Sequence, residues 1–417
     1  MQLQCMPGAC NTYLQELCLM RKSWLSRNLI LLTLVSLTQD AASELLYPLL
    51  PILLTTVLGA APIALGMIEG AAEAAAGFAK LWSGKYSDRI GRKPFVAVGY
   101  SLAGVGKALV VFSATWGQVL IGRITDRIGK GIRSAPRDAL ITDSVEKEHL
   151  GKAFGFHRMG DNLGAVIGPF FALWGLVIFH DDVRKVAVFA IIPAILSAAL
   201  TFFVKESYFP KQEPVKVKVK SPKVSLSAPL KRTIALLVFI QLMNIPDILI
   251  LLRLSDIGFS TRSVVLLYIF YNAVATIASM PAGIIADRIK PQYAYSIGLS
   301  AFGITYLLLG TSNSHSLAIV ALGIYGLFPA FTDGVGKSWV GKLSSKTERG
   351  RSQGLYQASM NFAVLGAGIW GGALWRKSEI ELPLVMAGTG AIIGVLLLLF
   401  RYSAITSSTD ETLRSIS

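Results

Sequence analysis

Apolar stretches of about twenty residues recur along nearly the whole chain, and no other feature limits its folding as much. Hydrocarbon offers no water to backbone N–H and C=O groups, so only helices and closed barrels can span it. A spanning helix takes roughly 20 mainly apolar residues. The runs here lack the alternation of a barrel strand and read as helices. Composition agrees: 53% of the 417 residues are hydrophobic and 16% charged, against about 25% charged in soluble domains. We expect an all-α membrane protein with twelve transmembrane helices, at 29–57, 62–86, 94–113, 117–142, 151–179, 185–204, 232–253, 262–286, 291–311, 316–341, 351–375 and 382–402.

The breaks carry turn chemistry, as in Gly59-Ala60-Ala61-Pro62 and Thr311-Ser312-Asn313-Ser314. Twelve helices put both termini on one side, and Lys and Arg decide which. One side collects Arg21, Lys22, Arg27, Lys85, Arg89, Arg92, Lys93, Lys147 and Lys152, eight more in 205–232, then Arg288, Lys290, Lys342, Lys346, Arg349 and Arg351. The opposite loops hold Arg184, Lys185, Arg253, Arg262, Arg376 and Lys377. The positive-inside rule therefore places both termini in the cytoplasm of a cell (inner) membrane. The net charge of +15 is then mostly topological, facing anionic lipid rather than nucleic acid. Residues 1–28 and 403–417 read as cytoplasmic tails, and the basic, Pro-bearing segment 205–231 as a linker between bundles 29–204 and 232–402. Cys5, Cys10 and Cys18 fit no metal spacing, and Met20 is an alternative start.

The halves repeat. At one constant offset Gly84, Asp88, Arg89 and Ile90 align with Gly283, Asp287, Arg288 and Ile289; the same offset pairs Gly151 with Gly350, Gly155 with Gly354 and Asn162 with Asn361. The chain is thus expected to form two pseudo-symmetric six-helix bundles. Transporters built from repeats bind substrate near the midplane between them and rock to alternate access.

The loop after the second helix, Gly84-Lys-Tyr-Ser-Asp88-Arg89-Ile-Gly91-Arg92-Lys93, resembles the signature of the major facilitator superfamily, with Tyr86 where that family usually has Leu. The resemblance covers nearly the whole chain. It implies a conformational latch at Gly84, Asp88, Arg89, Gly91 and Arg92, with a weaker second copy at Asp287 and Arg288 where Lys290-Pro291 replaces Gly-Arg. The fifth helix, with Gly155, Gly164, Gly168 and Pro169, is similar to the motif of proton-antiporting exporters in that superfamily, although Ala172-Leu173 stands where Gly-Gly is usual. Helix 4, from Asp126 to Asp138, resembles a less characterised bacterial branch.

Charges inside the bilayer are the sharper clue, since each costs about 2.5–3.5 kcal/mol at its centre on insertion scales. Asp40 and Glu44 lie one turn apart on helix 1, Glu69, Glu73 and Lys80 share a face of helix 2, and Lys107 is on helix 3. Arg123, Asp126, Arg127, Lys130, Arg133 and Arg137 stripe helix 4; His157, Arg158 and Asp161 are on helix 5. Counted inward, Asp40, Glu73, Arg127 and Asp161 fall at a common depth, where pairing would offset desolvation. We expect proton coupling at Asp40, Glu44, Glu69, Glu73, Arg123, Asp126, Arg127, His157 and Asp161, with Asp40 and Glu73 as the protonated acids and Arg127 their partner. The second half holds Asp247, Asp333 and Lys337, then amides and aromatics. Lys130, Asn244, Tyr268, Tyr271, Asn272, Tyr325, Gln357 and Asn361 are the expected substrate contacts.

No Gly-x-Gly-x-x-Gly after a strand, P-loop or Cys/His metal spacing is present. The chain is not read as an enzyme, and no cofactor or metal is expected, only an ion gradient. The leading expectation is a monomeric, proton-coupled exporter of a small organic molecule. The alternatives are uptake or exchange of an organic anion drawn to the helix-4 bases and, more remotely, a non-transporting membrane sensor.

Overall fold

The computed structural model describes residues 25–145, 150–206, 227–344, 349–376 and 381–401. Among them there are helices and turns but no strands. Span α1 starts at Arg27–Leu46 and continues to Val57 through a 3₁₀ turn and a π turn. Pro48 and Pro51 cause that departure, since neither can donate the bond that continues an α-helix. There follow α2 (Pro62–Ile90), α3 (Arg92–Val111), α4 (Trp116–Asp143), α5 (Leu150–Ile178) and a two-piece α6 (Val183–Val188, Ile191–Thr201). The second half comprises α7a (Ala228–Gln241), α7b (Asp247–Ile257), α8 (Thr261–Arg288), α9 (Pro291–Thr311), α10 (His315–Tyr325, Leu327–Leu343), α11 (Arg349–Ala373) and α12 (Leu382–Leu396). Their ends fall within four residues of the sequence expectation, except that α12 ends at Leu396 and runs on to Arg401 as a π turn against an expected 402.

Eight of these spans are long and apolar enough to cross a membrane by length and hydropathy alone. The other four are α2, α4, α7 and α11. The first two carry the charge clusters, α7 is in two pieces, and α11 is rich in glycine and polar groups. Hydropathy fails where polar interior groups are concentrated.

The duplication is visible in the element boundaries. α2 to α6 begin at 62, 92, 116, 150 and 183, and α8 to α12 at 261, 291, 315, 349 and 382, a uniform offset. Even caps repeat: Thr115 accepts from the Gln118 N–H and Ser314 from the Leu317 N–H.

Tight packing within the first half comes from glycines facing backbone. A Cβ at Gly160, Gly164 or Gly168 on α5 would lie 2.4 Å from Thr33, Leu37 or Ala41 of α1. These residues recur every fourth position on both helices, so one backbone fits along the other. Gly99 and Gly106 of α3 face Gly129 and Gly122 of α4 in the same way. Gly91, between α2 and α3, has φ +116°, a region that L side chains rarely occupy.

Helix 7, expected as one span over 232–253, is interrupted at 242–246. Pro246 disfavours helical geometry before it and supplies no N–H. Two freed carbonyls find other donors: Trp370 Nε1 donates to Leu242 O and the Tyr306 hydroxyl to Ile245 O, each at 2.8 Å. Arg253, counted above with the loops, is instead 1% exposed within α7b. Its guanidinium donates to Leu309 O and Asn313 Oδ1, both at 2.8 Å, beside Glu381 at 3.8 Å.

The halves touch at the face remote from the linker. There α2 lies on α11 with Gly66 against Gly368, Gly70 against Leu365, and Ile63 against Gly372. Across the same face Arg262 of α8 reaches Asp181 at 2.8 Å, and Tyr268 of α8 bonds Glu44 of α1. Toward the linker face the halves part: a Cβ at Gly283 or Gly334 would meet nothing within 4 Å.

Candidate functional site

Six ionisable groups of the first half form one continuous network. Glu69 on α2 accepts from Arg123 at 2.5 Å and from Arg127 at 2.9 Å, both on α4. Arg127 also reaches Glu73 at 3.2 Å. Arg123 lies 3.5 Å from Asp126, which accepts from Lys107 of α3 at 2.7 Å. Three acids and three bases alternate, so the group is neutral although Glu69, Lys107, Arg123 and Asp126 are all buried. Removing such charges from water is tolerated only with partners on every side. The Gly106–Gly122 approach brings α3 close enough for Lys107 to reach Asp126.

The remaining expected coupling residues are placed differently. Asp40 and Glu44 of α1 share a small polar chamber with Tyr47, Arg127, Lys130 and Arg133. Asp40 makes no hydrogen bond or ion pair to a described residue, while Glu44 accepts from Tyr268 across the halves. Asp161 lies 3.6 Å from His157, one turn back on α5, and acts electrostatically on Arg137 of α4. α5 packs mainly on α1, and α4 on α2 and α3. Further along α4, Arg133 sits over the Tyr100 ring at 4.3 Å and Arg137 donates to Ser36 at 2.9 Å.

The second half has a tyrosine cluster at equivalent places. By the repeat, Glu69, Lys107 and Asp126 correspond to Tyr268, Tyr306 and Tyr325. The Tyr325 hydroxyl donates to Asp247 Oδ1 at 2.6 Å and the Tyr271 hydroxyl to Oδ2 at 3.0 Å. Rings of Tyr268 and Tyr271 meet edge-on at 5.3 Å. Tyr268, Tyr271 and Tyr325, expected at the substrate, are 2–6% exposed and serve this cluster.

Between the halves lies a cavity of about 600 Å³, lined from α2, α4, α7, α9, α10 and α11. Four expected contacts, Lys130, Asn244, Gln357 and Asn361, do line it. Asn272 instead lines a neighbouring cavity beside α5 and α10, and Asp333 borders both. Glu73 is the network member on the wall of the cavity between the halves, with 29% of its side chain exposed. Lys80 donates to Gln357 at 2.7 Å, and Asn361 to Glu73 O at 2.9 Å, both between halves. The sequence reading passed over Tyr295, Thr332 and Tyr356 on this wall. Their signal was an unexplained polar side chain in a long helix, which does not distinguish cavity from core.

Of the latch, the side chains of Gly84, Asp88, Arg89 and Asp287 lie outside the described residues. Arg92 pairs with Asp143 at the end of α4, and its N–H donates to Glu206 at 2.7 Å. Both contacts stay within or next to the first half. Arg288 ends α8 and is exposed.

A two-fold repeat of six helices around a central cavity now has independent support. The sequence profile of the Major Facilitator Superfamily matches residues 32–277 and 233–415. The chain belongs to the Major Facilitator Superfamily. An uncharacterised transporter of this superfamily type from Methanocaldococcus jannaschii is 31% identical over 90% of this chain and 95% of its own. A multidrug resistance protein, MdtH, of Enterobacter sp. is 21% identical over 86% of this chain and 90% of its own. Among solved structures, the nucleoside transporter NupG superposes with a TM-score of 0.73 at 12% identity, covering 89% of this chain and 98% of that one. A D-xylose–proton symporter gives 0.72 at 16% identity, over 89% and 96%. These likenesses establish the fold of a superfamily transporter, a multi-pass membrane protein with a small-molecule substrate.

Proposed function

We propose that this transporter exports a small organic molecule in exchange for protons, by alternating access, as a monomer in the cell membrane with both termini cytoplasmic. The observation that carries the proton role is Glu73, an acid on the cavity wall that shares Arg127 with buried Glu69. Protonating Glu73 leaves Arg127 to Glu69 alone; ionising it draws Arg127 to the wall. Substrate and proton thus meet at one residue, with no cofactor required. Export is supported by the resistance protein among the relatives, and the cytoplasmic side by the Lys and Arg count on the linker face. The side open in this structure is then the cytoplasmic one, ready for loading.

A second reading rests on Lys130. Its ammonium faces the cavity with no hydrogen bond or ion pair to a described residue. An organic anion would offset that charge. Linkage separates the two readings. A substrate competing with the proton releases protons when it binds, whereas an anion at Lys130 stabilises protonated neighbours and takes protons up.

The test uses purified protein in weakly buffered detergent with a pH indicator, then in proteoliposomes with an imposed pH gradient. Ethidium and carboxyfluorescein serve as cationic and anionic probes. Export predicts proton release on binding and gradient-driven probe movement, both abolished in Glu73→Gln with probe binding retained. Proton uptake with carboxyfluorescein, lost in Lys130→Gln, would favour the anion reading. Unimpaired gradient-driven transport in Glu73→Gln would overturn the site assignment.

A further inference from the structure

We infer that Asp247 is a second proton-binding site, in the second half, whose ionised form holds the broken helix α7 and keeps the far face closed. The inference goes beyond the Glu73 reading and does not depend on it.

Three observations meet there. Asp247 is the first residue of α7b, directly after the interruption at 242–246. An acid at that position faces the positive end of the helix dipole. Its two carboxylate oxygens are held separately, one by Tyr325 of α10 and one by Tyr271 of α8. Asp247 therefore links three elements at the place where the backbone is discontinuous. Its donors are neutral hydroxyls, and it forms no ion pair to a described residue.

The contrast with the first half is informative. Asp126 occupies the repeat position of Tyr325 and is flanked by Lys107 and Arg123, which fix it as an anion. In the second half Tyr306 stands at the position of Lys107 and Leu322 at that of Arg123. Charged and titratable groups that act on it include Glu69 of α2, Asp333 of α10, Tyr47 of α1, Tyr306 of α9 and the two tyrosine donors. The cations beyond them, Arg123 and Arg127, are both paired with Glu69. A neutral carboxyl accepts weaker hydrogen bonds than a carboxylate, so a bound proton loosens both tyrosines and frees α7b from the closed arrangement. Tyr268, edge-on to Tyr271 and bonded to Glu44, carries that loosening to the contact between halves.

The experiment measures the distance across the far face by pulsed electron spin resonance, in lipid nanodiscs between pH 5 and 8. Labels sit at Lys185→Cys and Thr311→Cys, both exposed, with Cys5, Cys10 and Cys18 replaced by Ser. We expect acid to raise the open-to-closed ratio of the far face about tenfold, the change for weakening two hydrogen bonds. Asp247→Asn should show the open-shifted ratio at every pH, Tyr325→Phe should shift it partway, and Asp247→Glu should restore the response. Glu73→Gln should keep the full pH dependence, which separates this site from the coupling acid. A wild-type pH response in Asp247→Asn, or its complete loss in Glu73→Gln, would overturn the inference.

Discussion

Glu69 shows how a single side chain can be indispensable to a fold without touching substrate. It faces two arginines at 2.5 and 2.9 Å in the interior. Glu69→Gln leaves a buried positive charge unopposed, and breaking such pairs costs about 3–5 kcal/mol. We expect a large loss of thermal stability in detergent, whereas Glu73→Gln, on the cavity wall, should unfold close to wild type. Tyr306→Phe should cost about 1 kcal/mol by leaving Ile245 O without its donor, measurable as a shift in unfolding temperature. The sequence displayed Glu69, Glu73, Arg123 and Arg127 plainly, since charges in a membrane helix stand out. It displayed one pair, Glu73 with Arg127, and not the others. Lys107 was in view on its helix, and the glycine contacts of α3 and α4 place it on Asp126. Asp161 shared a depth with Arg127 but sits on a helix that packs elsewhere. Depth along a helix can be counted from sequence, while rotation about its axis depends on packing.

At the scale of elements, glycine spacing did most to set the architecture. Gly164 and Gly168 stand on the backbone of α1, and Gly160 on the Thr33 side chain. Gly164→Leu should therefore prevent folding into the membrane, with little mature protein recovered. Gly283→Leu, where space is open, should be tolerated at wild-type yield. Eight of the twelve spans were legible because their apolar length is close to a bilayer thickness. The interruption of α7 was not read, although Pro246 was in view. Many membrane helices carry a proline and only bend. What decides for a break is a pair of remote donors, Trp370 and Tyr306, ready to take the freed carbonyls. Those partners lie 128 and 61 residues away in the chain, beyond any local pattern.

Over the whole molecule, the duplication accounts for shape and the departures from it account for chemistry. Five helices of each half begin in strict register, yet one half lines its interior with ion pairs and the other with tyrosines around one acid. The far face is joined by the glycine seam of α2 and α11 and by the Arg262–Asp181 pair. That pair is largely exposed, so Arg262→Ala should change stability by under about 1 kcal/mol. The seam has a different consequence. Where Gly66 meets Gly368, two smooth backbones abut with no side chains dovetailed across the join. At that point the surfaces separate without any rotamer having to be withdrawn, so the resistance to reopening this side falls on the few side chains that do cross, Leu365 against Gly70, Tyr268 on Glu44 and Arg262 on Asp181.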